Sequence, residues 1–388
     1  MDYEKIIPQK IVQIKPSGIR RFFDIANEME GVISLGVGEP DFKTPFAIRQ
    51  TAIETLEKGR TWYSANAGLL ELREEICRYL ERKFDLHYEA KGEVLVTVGG
   101  SEAIDLCIRA LVDDGDEVLI PEPSFVCYSP IVTLAHGVPV PIETKEEDHF
   151  RLTKEALLSK ITDRTKVLVL PYPNNPTGGV MRREHLEELA QVLRERNIIV
   201  LSDEIYAELT YNGQHVSIAS LDGMAERTVV VNGFSKAYSM TGWRLGYAAG
   251  PKPIIQQMTK IHQYAIMCAP TTSQYAAVKA LRDCDESIAK MRDEYDARRR
   301  LIVDSFNRLG LHCFEPEGAF YVFPCIKSTG MTSEEFCEKL LFSQKVAVVP
   351  GNAFGDSGEG FVRVSYSYSV NHILEAVKRI GKFLDSLK

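Results

Sequence analysis

From about residue 46 onward, segments with helical periodicity alternate with short runs of almost wholly apolar, often β-branched residues. Residues 69–83 and 101–112 space their apolar side chains at three and four positions, which predicts amphipathic helices. Residues 93–98, 117–120, 166–170, 198–202 and 228–231 are too short for helices and predict strands buried on both faces. Strands of this kind with helices between them predict an α/β domain whose mostly parallel sheet is covered by helices. Beyond about residue 283 the pattern changes to a long charged helix (286–309), strands near 319–323, 346–349 and 361–365, and a closing helix. These elements predict a smaller α+β domain. The expected division is 1–45 as an arm and a segment packed on the small domain, 46–283 as the large domain and 284–388 as the small domain.

Composition narrows the functional classes. A chain of 388 residues, 45% hydrophobic, holds enough apolar material for about two cores. Its net charge of −8 opposes a phosphate-backbone partner, so no nucleic acid is expected. The eight cysteines form no C-x-x-C pair and lie scattered through apolar segments, which predicts reduced thiols of a cytoplasmic protein and no metal site. The residues after Met1 carry no apolar signal core, and no stretch approaches the roughly 18 apolar residues of a membrane span. No membrane partner is expected.

Candidate chemistry collects at the ends of the predicted strands, where open α/β sheets bind ligands. Lys236 follows the strand at 228–231 inside a loop flanked by Gly233 and Gly242, with Arg244 eight positions on. Burial and that neighbouring cation would lower the basicity of its amine, leaving a nucleophile able to form a Schiff base with an aldehyde. Gly99-Gly100-Ser101-Glu102 lies between a strand and a helix, where free N–H groups and the helix dipole favour a phosphate. Asp203 ends the strand at 198–202, and a buried carboxylate there calls for a cation such as a protonated pyridine nitrogen. Tyr206 would share its face if the turn is helical, and could donate to a ring oxygen. The Tyr172–Gly179 loop fixes the Asn175 amide between two prolines. Phe125 offers an aromatic face after another strand, and Arg363 a bidentate partner for a carboxylate.

In this order the residues resemble the class I aminotransferases, the fold-type-I enzymes dependent on pyridoxal phosphate. The likeness runs from Gly36-Val37-Gly38-Glu39-Pro40-Asp41-Phe42 through Asn174-Asn175-Pro176-Thr177-Gly178, Ser202-Asp203-Glu204-Ile205-Tyr206 and Ser235-Lys236 to Arg363. Pro316-Glu317-Gly318-Ala319-Phe320-Tyr321 and Val349-Pro350-Gly351-Asn352-Ala353-Phe354-Gly355 resemble the prokaryotic aspartate/aromatic branch. The resemblance implies that Lys236 anchors the cofactor and shuttles a proton, while Asp203 pairs with the pyridine nitrogen. It implies contacts of Tyr206 and Asn175 to the ring oxygen and stacking of Phe125. Gly100, Ser101, Glu102, Ser235 and Arg244 match positions around the phosphate, some of them through the backbone. Arg363, Asn175 and the Gly38 backbone match those that hold a substrate α-carboxylate. Tyr63 matches a tyrosine that reaches the phosphate of a neighbouring subunit, which implies a homodimer with shared sites. The Asn175–Pro176 bond is a candidate cis peptide by the same likeness.

The implied reaction is ping-pong transamination between an L-amino acid and a 2-oxo acid, with 2-oxoglutarate as the expected acceptor. Some acid-selective relatives place a lysine where this chain has Ser101, which points away from an aspartate-only donor. Phe22, Phe23, Phe125 and Tyr264 are candidate walls of an apolar side-chain pocket, so an aromatic or broad-range donor is expected. The alternatives are an aspartate-type aminotransferase, a lyase on the same fold, and a cofactor-binding regulatory module. The last lacks a basic helix-turn-helix region ahead of the aminotransferase-like part.

Overall fold

The computed structural model describes residues 1, 3–14, 16, 18 and 29–387. After a short strand β1 (Ile33–Ser34) come β2 (Val94–Thr97), β3 (Glu117–Glu122), β4 (Val138–Glu143), β5 (Thr165–Leu170), β6 (Ile199–Asp203), β7 (Thr228–Gly233) and β8 (Gly246–Ala249). These last seven form one sheet in the order β2-β8-β7-β6-β5-β3-β4. Only β8 runs antiparallel to its neighbours; the other pairings are parallel. The expected α/β architecture is therefore present.

Two strands of this sheet escaped the sequence pattern. β4 is an edge strand carrying Pro139 and Pro141, residues a sheet tolerates only where ladder N–H groups are dispensable. β8 reads Gly-Tyr-Ala-Ala, with little of the β-branched character that marks its neighbours, and is defined by its position between β2 and β7.

Helices cover both faces because each has one apolar stripe. Leu72, Ile76, Tyr79 and Leu80 of the Leu70–Phe84 helix pack with Val94, Val96, Val230 and Tyr247 on one side. Ala103, Ile104 and Cys107 of the Gly100–Leu111 helix pack with Leu95, Val167, Leu201 and Val231 on the other. Each such fully buried aliphatic side chain contributes about 1.5–3 kcal/mol.

A second core forms around β9 (Tyr321–Val322), β10 (Val346–Ala347), β11 (Val349–Pro350) and β12 (Val362–Ser365). Ile302 and Phe306 of the Asp285–Arg308 helix pack there with Phe336, Leu340, Val364, Ile373 and Ile380. Leu35, Tyr206 and Leu209 join the same core from far away in sequence. The run at 346–349, expected as one strand, is divided. Val346–Ala347 pairs in parallel with β1, whereas Val349–Pro350 pairs antiparallel with β12. The chain changes sheets at Val348, a step that uniform apolar character cannot disclose.

The two cores are stitched through the 316–321 turn. Glu317 and Gly318 donate their N–H groups to Gly178 O, both at 2.9 Å. The Glu317 carboxylate pairs with Arg151 at 2.7 Å and with Arg182. No helix among the described residues is long and apolar enough to cross a membrane.

Gly246 sets the depth of the turn after β2: a Cβ there would lie 2.6 Å from Gly100 N. Gly246→Ala is expected to lower unfolding stability by about 1–3 kcal/mol in denaturant titration, the cost of overpacking against backbone. A variant as stable as the parent would show that this turn yields freely.

Candidate active site

The carboxyl ends of the parallel strands open into a cavity of about 430 Å³ that also receives Arg363 and Tyr321 from the second core. Its lining includes Gly38, Gly100, Ser101, Phe125, Asn175, Asp203, Tyr206, Ser235, Lys236, Arg244 and Arg363. Most of the sequence candidates therefore converge.

One end of the cavity brings a helix start and a guanidinium together, both of which favour an anion. The helix beginning at Gly100 leaves first-turn N–H groups without intrahelical acceptors. Gly99, at φ +81°, lets the Arg244 guanidinium approach so closely that a Cβ would lie 2.6 Å from Nη2. Arg244 itself adopts a left-handed φ of 51° and donates to Thr241 O at 3.1 Å. Ser101 and Ser235 line the cavity beside it.

Asp203 lies at the end of β6 and is buried. It accepts from Tyr128 Oη at 2.7 Å and from the Ile205 N–H at 3.2 Å. Burial pushes its carboxyl above the ordinary aspartate range, while these two hydrogen bonds act in the opposite direction. Among the described residues no cation makes an ion pair with it, so a ring N–H⁺ is the partner its chemistry suits. Tyr206 follows in a turn that is not helical, yet it still faces the cavity, with its hydroxyl 2.8 Å from that of Tyr321.

The Lys236 amine donates to Gly38 O at 2.6 Å. Burial is the main reason that its pKa falls to about 8, with Arg363 next; Arg244 adds less, and Glu39 and Asp203 oppose. The sequence pointed to Arg244 as the cation concerned, because the approach of Arg363 is created only by the fold. Arg363 is buried, with Nη1 2.9 Å from Asn175 Oδ1 and Nη2 donating to Gly36 O. Its guanidinium lies 4.6 Å from the Tyr321 ring centroid and 4.8 Å from that of Phe354. Its buried Nε has no hydrogen-bond partner among the described residues, as suits a group that recognises an incoming carboxylate. Gly38 passes so near Tyr321 that a Cβ would sit 2.1 Å from the hydroxyl.

Other candidates lie elsewhere. The Glu102 carboxylate accepts from the Val98 N–H and lies 2.8 Å from His262 Nδ1, outside the cavity lining. Tyr63 is 75% exposed and lines a separate cleft with Trp62 and Ile266. Tyr264 is 87% exposed and is not a pocket wall; Phe22 and Phe23 lie outside the described residues. Among the described residues the cis peptides are Glu122–Pro123 and Tyr172–Pro173, so the expectation at Asn175–Pro176 is corrected. Asn175 is instead placed by the turn in which Thr177 bonds Asn174 Oδ1 and Gly178 N bonds Asn174 O. Tyr128 and Tyr321 were missed as site residues. Tyr128 stands three positions after Phe125, but nothing in sequence ties either tyrosine to Asp203 or Tyr206.

Comparison with known proteins agrees with this geometry. The family model described as aminotransferase class I and II matches residues 30–380. An aspartate aminotransferase of Pyrococcus abyssi (strain GE5 / Orsay) is 49% identical, covering 97% of this chain and 97% of that protein. Aromatic-amino-acid aminotransferase 2 of Thermococcus litoralis is 45% identical, covering 98% of this chain and 99% of its own. The crystal structure of an aromatic aminotransferase from Pyrococcus horikoshii OT3 superposes with a TM-score of 0.91 at 47% identity, covering 94% of this chain and 99% of that one.

The chain belongs to the class I and II aminotransferases. It is a transferase of fold type I that catalyses transamination with pyridoxal phosphate. The anion-binding helix end, the buried Asp203 carboxyl, the weakened Lys236 amine and the unpartnered Arg363 Nε fit that cofactor and an amino acid beside it.

The amine becomes a free nucleophile as pH rises through its pKa. Capture of pyridoxal phosphate by the cofactor-free protein should therefore accelerate through pH about 8 and level off above it, in stopped-flow absorbance measurements. A rate still climbing past about pH 10, where ordinary lysine titrates, would contradict the assignment.

Proposed function

We propose that the chain is an aminotransferase for aromatic or broad-range amino donors with 2-oxoglutarate as acceptor, working in the cytoplasm as a homodimer. The observation that carries the site assignment is the convergence of Lys236, Asp203 and Arg363 on one cavity. Pyridoxal phosphate, when bound, supplies an aldehyde carbon for the amino group and an electron-withdrawing ring. Gly100, Ser101, Ser235 and Arg244 hold its phosphate, and Asp203, oriented by Tyr128, keeps the ring nitrogen protonated. Tyr206 and Asn175 bind the ring oxygen, and Phe125 covers one face. Arg363, with Asn175 and the Gly38 backbone, fixes the α-carboxylate of the donor.

Lys236 would anchor the cofactor and be freed when the donor amine takes its place. Its Nζ would then serve as the base that takes the proton from the donor Cα and as the acid that gives a proton back. With water supplying the carbonyl oxygen, the donor would leave as a 2-oxo acid with its amino group retained, and the acceptor would use the same residues in reverse.

The cavity lining supports the donor preference. Its cations are Lys236, Arg244 and Arg363, each already engaged in the steps above, among the described residues. The other walls include Val37, Ile104, Phe125, Pro171, Pro173 and Ile205. An aspartate side chain would enter this apolar surround with no cation left for it. Relatives bear both aspartate and aromatic names, so similarity alone does not choose between them.

The separate packing of the second core supports a division of the chain near residues 45 and 283. The free cysteines support a reducing compartment. Exposed Phe46 (69%), Trp62 (60%), Tyr63 (75%) and Tyr264 (87%) support a covered face in a dimer, with Tyr63 reaching the neighbouring site.

A panel of donors assayed with 2-oxoglutarate tests the substrate reading. Phenylalanine and tyrosine should exceed aspartate in kcat/KM by about tenfold or more, the penalty for an unpaired buried carboxylate. Strong turnover confined to aspartate would sink it. Light scattering of the eluted protein should return twice the chain mass of 43.6 kDa, and a monomeric mass would refute the shared-site arrangement.

A further inference from the structure

Glu102 and His262 form a pair that the steps above leave unused. The Lys252–Ala265 helix packs along the Gly100–Leu111 helix, and His262 on its last turn is fully buried. Its Nδ1 lies 2.8 Å from Glu102 Oε1, while the other carboxylate oxygen accepts the Val98 N–H. An ionised carboxylate only accepts hydrogen bonds, so His262 Nδ1 carries the proton and donates it. His262 Nε2 has no hydrogen-bond partner among the described residues, which leaves Glu102 as the ring's polar engagement there.

Glu102 occupies the first turn of its helix, the end whose free N–H groups attract negative charge. A cofactor phosphate and an untethered Glu102 would compete for those groups. Bonds to Val98 and His262 hold the carboxylate outside the cavity lining. They also fix the backbone immediately before Gly99 and Gly100.

We propose that the Glu102–His262 pair is a positioning device for the phosphate-binding turn, keeping the Glu102 charge off the helix end so that its amides serve the cofactor. The proposal rests on the reading that this helix end receives the phosphate. His262 touches neither cofactor nor substrate and acts through Glu102. The device concerns the Glu102 side chain alone and leaves its backbone N–H in the first turn of the helix.

The cofactor-free full-length protein can be titrated by absorbance with pyridoxal phosphate and with pyridoxal, which lacks the phosphate. Comparing the two ligands isolates the phosphate contribution, and pyridoxal serves as a folding control for each variant. His262→Leu should weaken pyridoxal phosphate binding about tenfold, within the range of charge effects at helix ends, and leave pyridoxal binding unchanged. His262→Asn, whose amide N–H can replace the Nδ1 donor, should recover most of the loss. An unchanged ratio of the two affinities in His262→Leu overturns the proposal, and so does an equal loss for both ligands. A parent protein that binds both ligands alike would refute the phosphate placement itself, and the proposal with it.

Discussion

Two cations, Arg363 buried and Lys236 partly buried, depend on the carbonyls of one short backbone segment. Lys236, after a strand of the large sheet, donates to Gly38 O; Arg363, on β12 of the second core, donates to Gly36 O. A cation withdrawn from water needs acceptors, and carbonyls supply them without neutralising its charge. Both groups can therefore be buried without an acidic partner that substrate or cofactor would have to displace. The segment is itself secured on two sides. Leu35 N bonds Ala347 O, and Ser365 N bonds Leu35 O at 2.7 Å. Thr241 bonds Glu39, Thr44 bonds Ser239 O, and Trp243 Nε1 bonds Thr44 Oγ1.

This arrangement makes electrostatics a property of the fold. The second-largest influence on the Lys236 amine comes from Arg363, 127 positions away in sequence and on a different core. The guanidinium that offers a free Nε to the cavity thus also helps to lower the basicity of the amine. Tyr206 and Tyr321 repeat the theme, since one hydroxyl from each side meets at 2.8 Å over the cavity. The site exists only where the two cores are held in contact.

Much of this was legible because periodicity reports burial, and burial on both faces is what a parallel sheet requires. Residues 166–170 and 228–231 announced β5 and β7 in this way, and the polar residues just past such runs proved to border the cavity. Local pattern failed where neighbours supply the reason for a structure. β8 is weak in composition and is made a strand by β2 and β7; Val348 hides a change of sheet inside a uniform apolar run. At the site, motifs located Lys236, Asp203, Asn175 and Arg363, whose chemical types declare them. They could not give the direction of the Glu102 side chain, the Tyr128 bond to Asp203 or the approach of Tyr321, which are long-range facts of packing.

The near contact of Gly38 with Tyr321 constrains how this enzyme can change over generations. Any side chain at position 38 would meet the Tyr321 hydroxyl at 2.1 Å, and removing that hydroxyl would still leave the ring carbon Cζ at 3.1 Å. Single exchanges at position 38 are thus closed off until position 321 has already become smaller. Yet shrinking residue 321 first strips Tyr206 of its hydroxyl partner and Arg363 of one aromatic neighbour. Each single exchange therefore passes through a damaged intermediate, so positions 38 and 321 are physically coupled.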